Sequence, residues 1–169
     1  MIQWQFYPKS LKIPSKLLQV IEVFKKCEKE INSETHIKQE SNDVLKIVGI
    51  ELENVGFKIE TGKKSANLIK VPVLFGKNGV IEKSFQADAY EEKEGIVIEI
   101  EAGRAVVNNQ FLKDLFQACM MYNVKFLIIA VRNQYIKSRD FDSIIRFFDT
   151  LYASDRLHLP LDGILLIGY

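Results

Sequence analysis

The sequence predicts an α/β fold in which a mixed central β-sheet is flanked by helices. Three observations favour this class. Segments with helical spacing of apolar residues alternate with segments of strand character along the 169 residues. The runs FLIIAV and GILLIG are short and continuously apolar, which is typical of strands buried on both faces of a sheet. The Asn78-Gly79 pair joins two strand-like segments and predicts a β-hairpin.

Two helices are expected in the first third of the chain. The first extends over residues 15–33, with Ser15 as its N-cap. The second begins near Ser41 or Asn42 and is closed by Gly56.

The rest of the chain alternates between strands and helices. The segments FKIETG, IKVPVLFG, VIEKSFQADAY and GIVIEIEA have strand character, and a helix over 106–123 and a strand over 125–131 follow them. The core would therefore extend over about residues 42–131. A C-terminal helix and strand complete the chain over 140–169. Without a repeat or a Pro/Gly-rich linker, residues 1–169 are expected to form a single domain.

Composition excludes several classes of protein. The chain is 47% hydrophobic and 27% charged, which is ordinary for a globular protein and excludes disorder as its main state. Cys27 and Cys119 are far apart and predict two buried thiols in a reducing compartment. The N-terminal residues lack a signal-peptide pattern, and the longest apolar runs have six residues. We therefore expect a soluble, cytoplasmic protein without membrane contact.

The strand GIVIEIEA carries two acids on one face. Because side chains alternate along a strand, Glu99 and Glu101 share a face with Val97, while the intervening isoleucines belong to the opposite face. The preceding strand contains Asp88. An antiparallel pairing with an odd sum of residue numbers, such as Asp88 opposite Glu99, would bring all three acids together. An even sum would put Asp88 on the other face, and the sequence alone leaves both pairings open.

Glu51 is a fourth candidate, in the second predicted helix. At 100° per residue it falls in the middle of the apolar stripe formed by Val44, Val48 and Val55. Glu53 falls on the solvent side.

A cluster of carboxylates requires a compensating charge, because neighbouring carboxylates repel each other and raise each other's pKa. Oxygen ligands without histidine or thiolate suit Mg²⁺ or Mn²⁺ better than zinc. Such an ion polarises a phosphoryl oxygen and lowers the pKa of bound water. The acids therefore predict a metal site beside an anionic substrate. In the alternative interpretation, Glu99 and Glu101 lie on a solvated strand face and Asp88 is a surface acid near a turn.

The pattern QADAY…GIVIEIEAGRA…FLKDLFQA…KFLIIAV resembles the PD-(D/E)XK nuclease superfamily. Within it, the pattern is similar to type II restriction endonucleases that carry an acid or Gln in place of the usual Lys. The core order of that superfamily is helix, three strands, helix, strand, and residues 42–131 follow this order. The resemblance implies a restriction endonuclease-like three-layer sandwich.

The resemblance also implies roles for the acids. Asp88 matches the metal-bridging aspartate, and Glu99 matches the second metal ligand. Glu101 occupies the lysine position and would act as a ligand or as a base towards the attacking water. Glu51 matches the acid that some relatives place on the first core helix. Because this position holds a glutamate and not a lysine, the usual cation near the scissile phosphate is absent.

The charge distribution fits a polyanionic partner, although charge runs are also typical of solvated faces. Residues 56–83 carry a net charge of +4 and residues 125–146 carry +3, on either side of an acidic centre, 87–101, with −5. The best candidates for contacts to a DNA backbone are Lys63, Lys64 and Lys77. Arg104 and Lys113 are possible substitutes for the missing lysine.

The first functional hypothesis is a Mg²⁺-dependent endodeoxyribonuclease of restriction type, in which Mn²⁺ is also possible. Asp88 and Glu99 would hold the metal while water attacks the scissile phosphodiester. A double-strand cutter needs two active sites, which implies a homodimer. The rival hypothesis is a nuclease-fold module that binds nucleic acid or assembles with a partner without catalysis. A resolvase-like nuclease acting on branched DNA is a third possibility.

Overall fold

The computed structural model describes residues 1–62, 65–103, 105–135 and 138–169, and it confirms the predicted mixed sheet flanked by helices. The first half of the chain forms β1 (Gln3–Tyr7), α1 (Ser15–Lys26), α2 (Glu28–Ile31), α3 (Ser41–Asn54), β2 (Lys58–Ile59), β3 (Ile69–Phe75) and β4 (Ile81–Ala87). The second half forms β5 (Ala89–Glu91), β6 (Ile96–Glu101), α4 (Gln110–Met120), β7 (Phe126–Val131), α5 (Asp140–Ser154) and β8 (Gly163–Gly168). Within these described ranges, no helix is both long and apolar enough to cross a membrane.

Six of the strands form one mixed sheet in the order β1-β8-β7-β6-β5-β2. The three central strands β6, β7 and β8 are parallel, whereas β1, β5 and β2 pair antiparallel with their neighbours. β3 and β4 form a separate hairpin. Its turn contains Asn78 and Gly79, both with positive φ, as the Asn-Gly signal predicted.

The sheet is covered on both faces, which gives three layers. One face, which includes Ile96, Ile98 and Ile100, packs against α1, α2 and α3. The other face, which includes Val97 and Leu127, packs against α4, α5 and the inner side of the β3–β4 hairpin. Because both faces are buried, β7 and β8 have the continuous apolar sequences from which they were predicted.

Three local features differ from the sequence-based expectations. The predicted helix over 15–33 is divided at Cys27 into α1 and α2. The predicted helix over 106–123 is shorter, because Asn109 before it has a left-handed backbone and Met121 after it is extended. Strand β1 was not predicted, and it is formed by pairing with β8 at the opposite end of the sequence.

Helix α3 has well-defined ends. Its N-cap is Glu40, one residue before the predicted start, and Glu40 and Asp43 form a reciprocal capping box. Gly56 closes the helix as predicted, with a φ of 94°. The N–H of Phe57 donates to the carbonyl of Leu52, as in a Schellman motif. These ends fix where the chain turns from α3 into the edge strand β2.

Gly95 is required where β5 turns into β6. It has a φ of 68°, and an added Cβ would lie 2.2 Å from the carbonyl oxygen of Asn123. We expect Gly95→Ala to destabilise the fold by about 3 kcal/mol, because the backbone would have to shift. Thermal unfolding measures this effect, and Gly79→Ala is the control: Gly79 has a φ of 75°, but nothing lies within 4 Å of its added Cβ. Equal destabilisation by both substitutions would contradict the steric explanation.

Candidate active site

The pairing of β5 with β6 brings the three predicted acids of this region to one face. Ala89 pairs with Ile98 and Tyr90 with Val97, so the sum of paired residue numbers is odd. Asp88 lies between β4 and β5, where the chain leaves its pairing with β3 and joins the main sheet. Its Oδ2 atom accepts a 2.7 Å hydrogen bond from the backbone N–H of Ile100. The register is therefore the one that the proposed acidic cluster needs.

The three acids line a polar cleft of about 500 Å³. Strand β6 supplies Glu99 and Glu101, β4 forms one wall, α4 forms another, and Ser41 at the start of α3 also lines it. The described residues of the cleft include five carboxyl groups, those of Glu60, Asp88, Glu99, Glu101 and Asp114. Two ammonium groups, those of Lys83 and Lys113, line the same space. The cleft therefore carries an excess of negative charge when all its acids are ionised.

Burial and mutual repulsion raise the pKa values of these acids. Burial raises the pKa of Asp88 to about 6, against the opposing effect of the Ile100 N–H. The pKa of Glu99 lies well above its ordinary value because of burial and the charge of Asp88. Burial raises the pKa of Glu101 to about 8, with further contributions from Asp114 and Asp88. Such shifts are typical of functional sites.

Lys113 on α4 lies among these carboxyl groups. Its positive charge lowers the pKa of each of them, opposing the effect of burial at Asp88, Glu99, Glu101 and Asp114. The side chain is exposed to solvent at the mouth of the cleft. The structure thus brings one of the two suggested substitutes for the missing lysine to the acids.

Two acids of the cleft were not predicted from the sequence. Asp114 is only 3% exposed and lies in the apolar stripe of α4 beside Phe111 and Leu115. An acid within an apolar helical stripe is a signal that could have identified it. Glu60 follows β2, its N–H donates to the carbonyl of Asp88, and burial raises its pKa. No sequence pattern marks Glu60, because its position depends on the pairing of β2 with β5.

The expectation for Glu51 requires correction. Its carboxylate forms a 3.2 Å ion pair with Lys26 of α1 and does not line the cleft. Helix α3 packs on the sheet face opposite to the one that carries Glu99 and Glu101. Glu51 also lies ten residues beyond Ser41, about 15 Å further along the helix axis. Glu51 is not centred on the buried face of α3 as the helical angles predicted; it is half-buried at the edge of that face, in the layer away from the cleft.

The other predicted basic residues lie outside the cleft or outside the described chain. Lys77 is exposed in the turn of the β3–β4 hairpin and does not line the cleft. Lys63, Lys64 and Arg104 lie outside the described residues.

The carboxyl groups do not form a complete metal shell from protein atoms alone. In the described ranges, no three His, Cys, Asp or Glu side chains converge closely enough to hold an ion by themselves. Mg²⁺ is usually bound through one or two carboxylates, and water and substrate phosphate complete its coordination. The donor set of the cleft fits that requirement, since it consists of carboxyl groups so close together that their charges raise each other's pKa.

Comparison with known proteins supports the fold. No protein-family model and no curated protein matches the sequence. Among solved structures, the crystal structure of the restriction endonuclease BglII complexed with a DNA 16-mer superposes with a TM-score of 0.52 and 13% sequence identity. The match covers 99% of this chain and 75% of that chain. The fold is restriction endonuclease-like. At this identity the likeness concerns the fold alone, and it confirms the architecture expected from the PD-(D/E)XK resemblance.

Proposed function

We propose that the protein is a divalent-metal-dependent endonuclease that hydrolyses DNA phosphodiester bonds in the acidic cleft. The observation that carries the proposal is the grouping of Asp88, Glu99 and Glu101 on one sheet face, in a cleft that also contains Lys113. The restriction endonuclease-like fold supports it, as does the DNA bound in the BglII structure.

Asp88 and Glu99 would hold Mg²⁺ or Mn²⁺. The ion would supply charge neutralisation, polarisation of a phosphoryl oxygen and activation of water. The hydrogen bond from the Ile100 N–H fixes the orientation of the Asp88 carboxylate. This bond leaves the other oxygen, Oδ1, available as a ligand.

Glu101 would accept the proton of the attacking water. Its carboxyl group lines the cleft beside Asp88 and Glu99, where it could contact a water molecule at the scissile phosphate. Glu101 occupies the strand position of the usual lysine, and the ammonium group of Lys113 on α4 would contact the scissile phosphate instead. The two residues would thus divide between them the tasks of base and cation.

DNA contacts outside the cleft would come from basic residues around it. Lys77 on the hairpin turn is exposed, and its hairpin forms one wall of the cleft. Lys63, Lys64 and Arg104 complete the proposed set. Cleavage of both DNA strands requires two active sites, so we propose a homodimer as the active form.

Nicking of supercoiled plasmid tests the proposed function. We expect cleavage with Mg²⁺ or Mn²⁺, none with EDTA, and none by Glu99→Gln with any metal. Cleavage that persists in the variant would show that the activity arises elsewhere. Absence of cleavage on both plasmid and branched DNA would refute the enzyme proposal.

A second candidate function is a nucleic-acid-binding module without catalysis. The glutamate at the lysine position, Glu101, and the absence of a three-ligand shell among the described residues favour it. DNA binding by the wild type without cleavage in either Mg²⁺ or Mn²⁺ would distinguish this module from the enzyme.

Lys113 has a testable role in this scheme. We expect Lys113→Met to lower the single-turnover cleavage rate by about 10²-fold, because a positive charge near the developing phosphate charge is lost. Lys12→Met is the matched control, since Lys12 is exposed in the loop before α1 and does not line the cleft. Equal rates for the two variants would remove Lys113 from the mechanism.

A further inference from the structure

A groove adjoins the acidic cleft at the edge of the sheet, between α3 and β2. It has a volume of about 390 Å³. Glu60 lines both the groove and the cleft, and its N–H donates to the carbonyl of Asp88, a proposed metal ligand. At the start of α3, Ser41 lines the cleft and Asn42 lines the groove. The groove therefore begins directly beside the proposed catalytic site.

The floor of the groove is apolar. It is formed by Leu45, Gly49 and Ile59. Because Gly49 has no side chain, Ile59 lies against the backbone of α3, and an added Cβ would be 3.2 Å from its Cγ2 atom. Ile50 also lines the groove, and 68% of its surface is exposed to solvent. The described chain thus leaves an aliphatic surface open to a ligand.

The rim of the groove is polar. Asn42 contributes an amide, Lys46 an ammonium group, Glu53 a carboxylate and Thr61 a hydroxyl group. Ligand pockets share this combination of apolar lining and a few polar groups, and their usual volume of about 300–1,000 Å³ includes that of the groove. Such a site suits a flat ring, whose faces contact the apolar floor while its edges form hydrogen bonds with the rim.

A nucleobase is such a ring, and the substrate proposed for the cleft would bring one to the groove. The base of a nucleotide is joined to its phosphate through the sugar alone, so a phosphate in the cleft places a base near Glu60. Inside a duplex this base is stacked and paired, and its extrusion is unfavourable. The cost is smallest for a mismatched or unpaired base.

We propose that the groove between α3 and β2 binds an unpaired nucleobase next to the scissile phosphate, so that DNA with an unpaired nucleotide is the preferred substrate. The inference rests on the proposed function, because the phosphate of that nucleotide would lie in the cleft. The carboxyl groups of Glu53 and Glu60 accept hydrogen bonds. Bases that carry an amino group should therefore bind better than thymine.

Binding of DNA that contains 2-aminopurine tests this assignment. The probe is a duplex with a single unpaired 2-aminopurine nucleotide, and in the reference duplex the same base is paired with thymine. We expect the full chain in Ca²⁺ to bind the probe about tenfold more tightly than the reference, because no paired base has to be extruded. The fluorescence of 2-aminopurine should rise on binding, since the base leaves its stacked neighbours. In Mg²⁺, cleavage should occur at a phosphate that adjoins the unpaired nucleotide.

Ile50→Ser removes the exposed aliphatic side chain of the groove without changing its charge. We expect this variant to fold and to bind the reference duplex like the wild type, but to lose about fivefold of the preference for the probe, because apolar contact with the base is lost. Leu18→Ser is the matched control. Leu18 is exposed on α1, in the same layer as α3, and does not line the groove. This variant should keep the full preference.

The outcomes separate this inference from the proposed function. Equal affinity for the two duplexes, with metal-dependent nicking of plasmid retained, would overturn the base site and leave the enzyme proposal intact. An unchanged preference in Ile50→Ser would also overturn the base site. So would a change in the oligomeric state of this variant in size-exclusion chromatography, because the groove would then contact a second copy of the chain. A preference for the probe without cleavage in any metal would support the base site and refute the enzyme. Binding of neither duplex would refute both proposals.

Discussion

Asp88→Asn is expected to abolish DNA cleavage, lowering the rate by about 10³-fold or more, while DNA binding is retained. The carboxylate lies between the hairpin and the main sheet, in the cleft that Glu99 and Glu101 share. Asparagine can still accept the Ile100 N–H, but it cannot supply the negative charge that a divalent ion requires. Because the substitution removes negative charge from the cleft, binding to a polyanion should be equal or tighter.

The measurement pairs single-turnover cleavage with binding of uncleaved DNA in Ca²⁺. Asp155→Asn is the control, because Asp155 is exposed beyond the end of α5 and has a left-handed backbone that Asn also adopts. Cleavage within tenfold of the wild type would remove Asp88 from the mechanism. A loss of binding that matches the loss of cleavage would indicate a structural role instead.

The metal-free protein is expected to lose stability as the pH rises from about 5 to about 8.5. The pKa of Glu101 is about 8 in the folded protein, against an ordinary value of 4.5, so the folded state holds its proton over this range. A group with a raised folded pKa contributes its full stability below its unfolded pKa, and this contribution is lost as the pH rises through the folded pKa. Asp88 and Asp114, whose pKa values are about 6, act in the same direction.

Glu101→Gln should make the free energy of unfolding less dependent on pH. After allowance for its partial exposure, we expect about 2 kcal/mol more stability than the wild type at pH 8.5 in EDTA. This difference corresponds to a rise of about 4–8 °C in the melting temperature. Mg²⁺ should restore the stability of the wild type at the same pH. Glu53→Gln, on the exposed side of α3, is the control. Parallel profiles for Glu101→Gln and the wild type would contradict the prediction.

The elements that were predicted well are those in which the spacing of apolar residues along the segment itself indicates the buried face. The helix over 140–154 and the strands β7 and β8 show their periodicity locally. β1 was missed although Ile2, Trp4 and Phe6 alternate with glutamines, because the segment is short and its partner β8 lies at the other end of the sequence. Helix α4 begins at residue 110 and not at 106, since the backbone of Asn109 is left-handed.

In the candidate site, too, some residues could be assigned from local sequence and others only from the tertiary structure. The sequence by itself determined that Glu99 and Glu101 share a face, because alternation is a local property of any strand. The tertiary structure alone decided that Asp88 joins them, through the register of β5 on β6. It also decided between two acids on amphipathic helices. Asp114 lies on a helix of the layer that covers Glu99 and Glu101, and Glu51 lies on a helix of the opposite layer. A stripe of apolar residues indicates which face of a helix is buried. Only the packing of the layers determines which part of the sheet that face contacts.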